Sequence, residues 1–271
     1  MTSIKTVLSK SFKPSNSKTP CLTNVKAFWE RNPLCATAVP HRPGSPEFYR
    51  MYDSLRETNE PPDFARFLHE YGRFSGKRVL EVGCGNGYTL GKYAQAGAEV
   101  YGIDVTETAA NISRKRFEYQ KLKGDFIVGN AEDLPYESDF FDCVCSMGVL
   151  HHVPHTEKAV SEIHRCLKTG GRLIVMVYHR NSIPYRLVMP FRSLLKGKGL
   201  QQLVNEVDGE GNPKGDVYSK KELKKLLVQF KDLEIFCGLL QPQKLRRMLP
   251  IAIGEKLAAK WGWFLYAKGY K

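Results

Sequence analysis

The chain has 271 residues and a formal net charge of +13. Its hydrophobic fraction of 42% is enough for one core with appended segments. No apolar run approaches the roughly 20 residues that cross a bilayer, and no apolar leader with a small-residue cleavage site is seen, so we expect a soluble, cytoplasmic protein. The basic excess lies in the flanks, with 12 Lys and Arg against 7 Asp and Glu in residues 1–77, 12 against 13 in 78–180, and 17 against 8 in 181–271. Such flanks suit an acidic partner, an anionic membrane surface or nucleic acid, or are simply solvated.

The N-terminal part is predicted as two units. Residues 1–22 are rich in Ser, Lys and Thr and contain no acidic residue, which predicts a flexible basic tail. Residues 23–77 contain several prolines and two helical stretches, 47–57 and 62–71, and are predicted as a helical cap. Pro62 suits the first turn of the second helix, because its missing N–H group costs nothing there.

From residue 78 onward, short apolar runs alternate with amphipathic helical stretches. Near-continuous apolar runs are typical of parallel strands covered on both faces, so the alternation predicts an α/β fold with a doubly wound parallel sheet. The pair Gly170-Gly171 is interpreted as the stop signal of the last of these helices. The predicted strands are 79–82, 100–105, 126–128, 141–144 and 173–178, and the predicted helices between them are 88–96, 109–120 and 157–167.

After residue 180 the pattern loosens into a predicted insertion at about 182–217, which contains a basic-apolar segment and a turn-rich passage at 208–213. The basic-apolar segment, 183–198, is interpreted as core-facing helix, as a lid over an apolar substrate or as a membrane-surface element. The same three interpretations apply to a second basic-apolar stretch, 243–263.

Three further elements are predicted to complete the chain. A helix at 219–230 has Ser219 as its cap and Glu222 as the capping-box partner. Two apolar stretches, 233–239 and 263–270, are predicted as late strands.

The seven cysteines are an odd number and include no Cys-x-x-Cys pair, which predicts reduced thiols and no metal site. Cys143 and Cys145 lie two apart in an apolar run, so both are expected on one face of a strand, packed in the core. The other five are Cys21, Cys35, Cys84, Cys166 and Cys237.

The strongest motif is the strand 79–82 running into Gly83-x-Gly85-x-Gly87 and then a helix. Glycines let the backbone turn sharply and approach a nucleotide-like cofactor, and the following helix offers free N–H groups. A dinucleotide fingerprint would require glycine at position 88, where this chain has Tyr88. The next strand ends in Asp104, whose carboxylate is predicted to accept hydrogen bonds from ribose hydroxyls, the alternative being a helix cap.

Five ordered motifs resemble the ubiquinone/menaquinone-type branch of the class I S-adenosylmethionine-dependent methyltransferases, the methyltransferase domain 11 group. They are Glu81-Val-Gly-Cys-Gly-Asn-Gly87, Asp104, Gly129-Asn-Ala-Glu-Asp-Leu-Pro-Tyr136, the strand 141–150 leading to His151-His152, and Leu167-Lys-Thr-Gly-Gly171. The resemblance covers about residues 45–180. It implies a methyltransferase domain at 78–271 built on a Rossmann-like seven-stranded sheet, mostly parallel with an antiparallel last strand and helices on both faces.

The resemblance also implies S-adenosyl-L-methionine as cofactor, S-adenosyl-L-homocysteine as product, and a small-molecule acceptor with an oxygen, nitrogen, sulfur or carbon nucleophile, apolar or lipid-like acceptors included. In the family an Asp often precedes the Ala-Glu pair and meets the adenine amine; here Asn130 would accept through its carbonyl oxygen. The implied cofactor contacts are Glu81, Gly83, Cys84, Gly85, Gly87, Asp104, Val105, Asn130, Ala131, Glu132 and Met147.

Methyl transfer requires positioning, exclusion of water and, for a protonated nucleophile, a base. His151, His152 and His155 follow the fourth strand, where an open sheet has its ligand crevice, and imidazole titrates near neutrality. His152 is the first choice as base, and helix capping or packing is the alternative role for each histidine. Tyr178 ends the fifth strand on the same rim and is a further catalytic candidate.

Three other functions fit parts of the sequence. A nicotinamide dehydrogenase lacks the third glycine position and gives no role to residues 131–135. An RNA or protein methyltransferase would use the basic flanks, but Ser146-Met-Gly-Val-Leu150 stands where a clamp for a flipped base would be, which disfavours nucleic acid as acceptor. A non-catalytic cofactor-binding protein would keep the same glycine loop. The sequence leaves the acceptor atom and the oligomeric state open.

Overall fold

The computed structural model of the protein describes residues 20–33, 39–240 and 248–271, and seven strands form one sheet at its centre. The strands are β1 (Arg78–Val82), β2 (Glu99–Asp104), β3 (Asp125–Val128), β4 (Phe141–Met147), β5 (Leu167–Tyr178), β6 (Lys231–Gly238) and β7 (Phe264–Tyr270). Their order in the sheet is β3-β2-β1-β4-β5-β7-β6. The chain therefore starts in the middle of the sheet and crosses over, which places a ligand crevice at the carboxyl edge of β1 and β4.

Helices flank this sheet and precede it. They are α1 (Leu22–Arg31), α2 (Pro46–Asn59), α3 (Pro62–His69), α4 (Tyr88–Gln95), α5 (Glu107–Gln120), α6 (Thr156–Cys166), α7 (Met189–Lys196), α8 (Leu200–Asn205), α9 (Lys220–Leu226) and α10 (Ile251–Trp261). Within the described ranges, no helix has the length and apolar character that crossing a bilayer demands.

The central strands are covered on both faces, as their apolar runs predict. Leu80 of β1 and Val144 of β4 belong to one buried apolar cluster, and their neighbours Val79 and Cys143 belong to another on the opposite face. Cys145 lies in the same cluster as Cys143, so the prediction that both pack in the core is confirmed. The six cysteines among the described residues are free thiols, and Cys35 lies outside those residues.

The two late strands and their direction are confirmed. β7 runs antiparallel to both neighbours, because Tyr270 at its end lies opposite Arg172 of β5 and Lys231 of β6. The predicted start of β5 is wrong. Leu167, predicted as the end of a helix, already pairs with Phe141 of β4, so the strand begins before the Gly170-Gly171 pair that was interpreted as a helix stop.

Helix α1 was not predicted, and it begins at Leu22, the last residue of the predicted tail; residues 1–19 lie outside the described part. The Glu30 carboxylate accepts hydrogen bonds from the backbone N–H groups of Glu107 and Thr108, each at 3.1 Å. N–H groups in the first turn of a helix have no partner within the helix. The two bonds to Glu30 supply such partners and fix α1 over the start of α5. The predicted helices of the cap are present as α2 and α3.

The insertion begins with a short π-helix, Pro184–Val188, that continues into α7. The chain then returns across the sheet edge: Asp216 N–H donates to the His151 carbonyl and Tyr218 N–H to the Tyr178 carbonyl, both at 2.9 Å. The predicted helix at 219–230 is the shorter α9, with the expected capping box. Of the second basic-apolar stretch, the structure describes the part from residue 248 onward, which contains α10.

Candidate cofactor and acceptor site

A cavity opens at the carboxyl edge of β1, β2 and β4, the edge at which an open α/β sheet binds its ligands. Helix α1 contributes Leu22, Val25 and Trp29 to its wall, so the cavity is roofed by apolar side chains. Eight of the residues predicted from the sequence line it together: Gly83, Gly85, Asp104, Val105, Asn130, Ala131, Met147 and His152.

The glycine loop presents bare backbone to this cavity. Gly83 has a φ of +79°, a left-handed conformation that favours glycine. A Cβ atom at this position would lie 2.2 Å from Cγ2 of Val149, so a side chain would collide with the segment after β4. The loop therefore needs glycine both for its turn and for its close approach to the neighbouring strand end.

Asp104 is held rigidly at the end of β2. Its Oδ1 accepts hydrogen bonds from Thr106 N–H at 3.0 Å and Thr106 Oγ1 at 2.8 Å, and its Oδ2 accepts from Gly85 N–H at 3.2 Å. Burial raises the pKa of Asp104, and these donors oppose that shift. A carboxylate has about four lone-pair sites, and three donors occupy three of them, so Oδ2 keeps one acceptor site for a ribose hydroxyl. Bare backbone beside a fixed carboxylate is an arrangement that fits a nucleoside.

Three predicted cofactor residues, Glu81, Cys84 and Gly87, do not line the cavity. Burial raises the pKa of Glu81 to about 8, with a hydrogen bond from Thr89 opposing the shift. The Cys84 thiol packs in the core behind the loop. Gly87 caps α4 with a φ of +75°.

In the Ala131-Glu132 passage, Ala131 lines the cavity but Glu132 does not. Asn130 Oδ1 accepts a hydrogen bond from Glu132 N–H at 3.0 Å and so shapes the turn at the cavity. The Glu132 side chain points elsewhere, because its Oε1 accepts from His155 N–H at 2.9 Å, at the start of α6. The His155 side chain is exposed, and His155 does not line the cavity.

A buried polar cluster lies behind the cavity wall. The ring centroid of His151 lies 4.1 Å from that of His152 and 4.2 Å from that of Tyr178. The Tyr178 hydroxyl donates to Oδ1 of Asp208 at 2.6 Å, and Oδ2 of Asp208 lies 3.4 Å from Nε2 of His152. Among these residues, His152 is the one whose side chain reaches the cavity wall.

The hydrogen bonds of His152 define its protonation. Nδ1 contacts the backbone carbonyl oxygen of Lys214, and a carbonyl only accepts, so Nδ1 carries the proton and Nε2 holds a lone pair in the neutral ring. Burial lowers the pKa of His152 below its ordinary 6.5, and the Asp208 carboxylate partly opposes that shift. The ring is therefore neutral near pH 7 and has a free acceptor nitrogen.

Two acceptors consequently face each other at this point. Oδ2 of Asp208 is buried and has no hydrogen-bond donor among the described residues, and Nε2 of His152 offers a second lone pair at 3.4 Å. Facing lone pairs are costly unless a proton lies between or beside them. The cluster is thus prepared to receive a group that brings a proton.

Two contributors to this site were missed by the sequence analysis. Asp208 was assigned only to a turn-rich passage, and nothing in its local pattern indicated a contact with His152. Trp29, whose ring centroid lies 4.9 Å from that of His152, belongs to the helix that was not predicted. The available signal was a pair of aromatic residues, Phe28 and Trp29, beside Glu30 in the segment that precedes Pro33.

The structure has a Rossmann-like fold with a cavity at the carboxyl edge of its sheet whose lining fits a nucleoside. Residues 80–175 match the family profile described as a methyltransferase domain. This match covers about a third of the chain, and it lies within the part whose motifs resemble that family in the sequence.

Individual proteins similar to this chain also carry methyltransferase names. A ubiquinone biosynthesis O-methyltransferase of Coxiella burnetii is 29% identical over 120 residues, which are 44% of this chain and 51% of the relative. A phthiotriol/phenolphthiotriol dimycocerosates methyltransferase of Mycobacterium ulcerans is 32% identical over 156 residues, 55% of each chain. The chain thus spans about half the length of the curated relatives that it matches. A Thermotoga maritima crystal structure described as a SAM-dependent methyltransferase, possible histamine N-methyltransferase, has the same fold, with a TM-score of 0.56, 21% identity, and coverage of 91% of this chain and 99% of that one.

Proposed function

We propose that the chain transfers the methyl group of S-adenosylmethionine to a hydroxyl on a small acceptor with an apolar body, and that His152 removes the hydroxyl proton. One observation carries the proposal: the His152 ring, with its acceptor nitrogen beside Asp208, lies in the wall of the same cavity as the glycine loop and Asp104. Methyl transfer to a protonated nucleophile requires a site for the methyl donor and a base in the same cavity.

The cavity wall supports an acceptor with an apolar body. Trp29, Val149 and Val153 surround His152 there, and Leu22 and Val25 extend the apolar roof. Such a wall favours an aromatic or aliphatic body and excludes water from the reacting groups. One relative is named a ubiquinone biosynthesis O-methyltransferase, and this name supports oxygen as the nucleophile.

The chain's own residues then have distinct tasks. The cofactor, when bound, supplies a methyl group on an already activated sulfonium. Gly83, Gly85 and Asp104 would hold its nucleoside against the sheet edge. Nε2 of His152 would accept the hydroxyl proton, and the Asp208 carboxylate would stabilise the resulting imidazolium. Asp208 is in this scheme a positioning residue that acts through His152.

The test is the pH dependence of turnover in Asp208→Asn. An acceptor is first found by measuring S-adenosylhomocysteine release across phenols, amines, thiols and quinone precursors. In the unmodified protein, kcat should fall as the pH drops through the lowered pKa of His152, because the protonated ring cannot accept. Asp208 opposes the lowering of that pKa, so Asp208→Asn should move this acid limb to still lower pH and reduce neutral-pH turnover by about ten-fold.

Asp63→Asn is the matched control, because Asp63 lies on α3 with an exposed side chain and should leave the profile unchanged. A purely structural role for Asp208 would lower kcat at every pH without moving the limb. An unmoved acid limb in Asp208→Asn would therefore contradict the proposal.

A further inference from the structure

The segment from the π-helix through α7 carries a row of large apolar side chains that point to solvent. Leu187, Phe191, Leu194 and Leu195 are 62%, 61%, 70% and 69% exposed. Their spacing of four, then three, then one residue places them on one side of a helix. We call these four residues the exposed apolar face.

Core packing does not account for this face, because the helix already packs against the domain on its other side. Tyr185 and Met189 are buried there in a cluster with Tyr178, Leu203 and Val204. The segment therefore has an inner apolar side that meets the protein and an outer one that meets water. An exposed apolar row of this extent is typical of a docking surface.

Cations flank the exposed apolar face. Arg186, Arg192 and Lys196 are exposed on the same segment, and none has a carboxylate within 4.0 Å in the part of the chain that the structure describes. Residues 181–271 as a whole carry 17 Lys and Arg against 8 Asp and Glu. Apolar side chains bordered by unpaired cations match the layering of an anionic bilayer, whose phosphates lie above its acyl chains.

We propose that the exposed apolar face docks on the surface of an anionic lipid membrane. Phe191, Leu194 and Leu195 enter the boundary between headgroups and acyl chains, and the flanking cations bind lipid phosphates and carboxylates. A second copy of the chain fits the face poorly, since a two-fold pairing would bring the same cations together. The segment leaves the sheet after β5, at the edge where the cavity opens, so docking would bring the cavity close to the lipid surface.

The test uses the full chain and lipid vesicles, with no methyl acceptor. Sedimentation is measured with phosphatidylcholine vesicles that do or do not contain phosphatidylserine, for the unmodified protein and for a variant combining Phe191→Ser, Leu194→Ser and Leu195→Ser. We expect binding to the anionic vesicles, weaker binding to the neutral ones, and a loss of at least about ten-fold in partitioning for the variant. Raising the salt should weaken binding of the unmodified protein.

Val228→Ser is the control, because Val228 is 77% exposed but lies after α9, outside the exposed apolar face. It should bind vesicles like the unmodified protein. All substituted side chains are exposed, so circular dichroism and thermal unfolding should be unchanged and should exclude misfolding as the cause. Equal vesicle binding by the triple variant and the unmodified protein would overturn the proposal. So would an absence of vesicle binding with a dimer that the triple variant abolishes, which would identify a second copy as the occupant.

Discussion

Replacing His152 by alanine is expected to lower kcat by about 10²–10⁴-fold, the usual effect of removing a general base. The affinity for S-adenosylmethionine should change by only a few-fold, because the glycine loop and Asp104 remain intact on the neighbouring strands. Turnover is measured as S-adenosylhomocysteine release at saturating acceptor, and affinity by titration calorimetry with the same protein samples.

His155→Ala is the matched control for this experiment. His155 follows the same strand, but its side chain is exposed and does not line the cavity, so its loss should leave turnover unchanged. Unaltered turnover of His152→Ala with an acceptor that must lose a proton would reject His152 as the base. A parallel loss of cofactor affinity would instead show that the ring only shapes the cavity.

Glu60→Gln is expected to destabilise the protein by about 3 kcal/mol, because it leaves the largely buried Arg56 guanidinium without its counter-charge. The Arg56 guanidinium lies 2.8 Å from Oε2 of Glu60, and the Tyr266 hydroxyl donates to Oε1 at 3.1 Å. This network joins α2 to β7, so its loss weakens the contact between the helical cap and the sheet. Urea unfolding at pH 7 measures the change in the free energy of unfolding.

The same network predicts how stability depends on pH. Burial opposes ionisation of Glu60, but Arg56 and His69 outweigh it and hold the pKa at about 2, below the ordinary 4.5. A lowered carboxyl pKa stabilises the folded state above pH 4.5, and this contribution disappears as the pH falls towards 2. The difference in stability between the unmodified protein and Glu60→Gln should therefore shrink in that window.

Glu47→Gln on the same helix is the control for Glu60, because the Glu47–Arg50 pair is exposed on both sides and such pairs contribute little. It should leave the free energy of unfolding almost unchanged. A Glu60→Gln protein as stable as Glu47→Gln at pH 7 would show that water or another group compensates Arg56.

The parts of the site that the sequence predicted are those built from adjacent residues. The glycine loop and Asp104 follow directly from strand ends, and the apolar runs of β1 and β2 determine where those ends lie. The carboxyl ends of neighbouring parallel strands lie at one edge of the sheet, so the sequence alone predicts that the glycine loop and Asp104 lie close together. The seven-stranded sheet followed from the same alternation together with the family resemblance.

The missed parts depend on contacts between distant segments. Asp208 and the Lys214 carbonyl reach His152 from a loop more than 50 residues downstream, and no local pattern encodes that return. Glu132 illustrates a second difficulty, since sequence order places it at the cavity while its side chain turns away to His155 N–H. Side-chain direction in a loop depends on which hydrogen-bond partner packing brings near.

The site assignment as a whole depends on a nucleoside lying against the bare glycine backbone with its ribose on Asp104. Titration calorimetry of S-adenosylhomocysteine into the folded chain measures this directly, with Asp104→Ala as the comparison. We predict one binding site per chain, and an affinity reduced at least about ten-fold in the variant, because a charge-assisted hydrogen bond to the ribose is lost. The site assignment would be contradicted if folded protein gave no binding heat with either S-adenosylhomocysteine or S-adenosylmethionine.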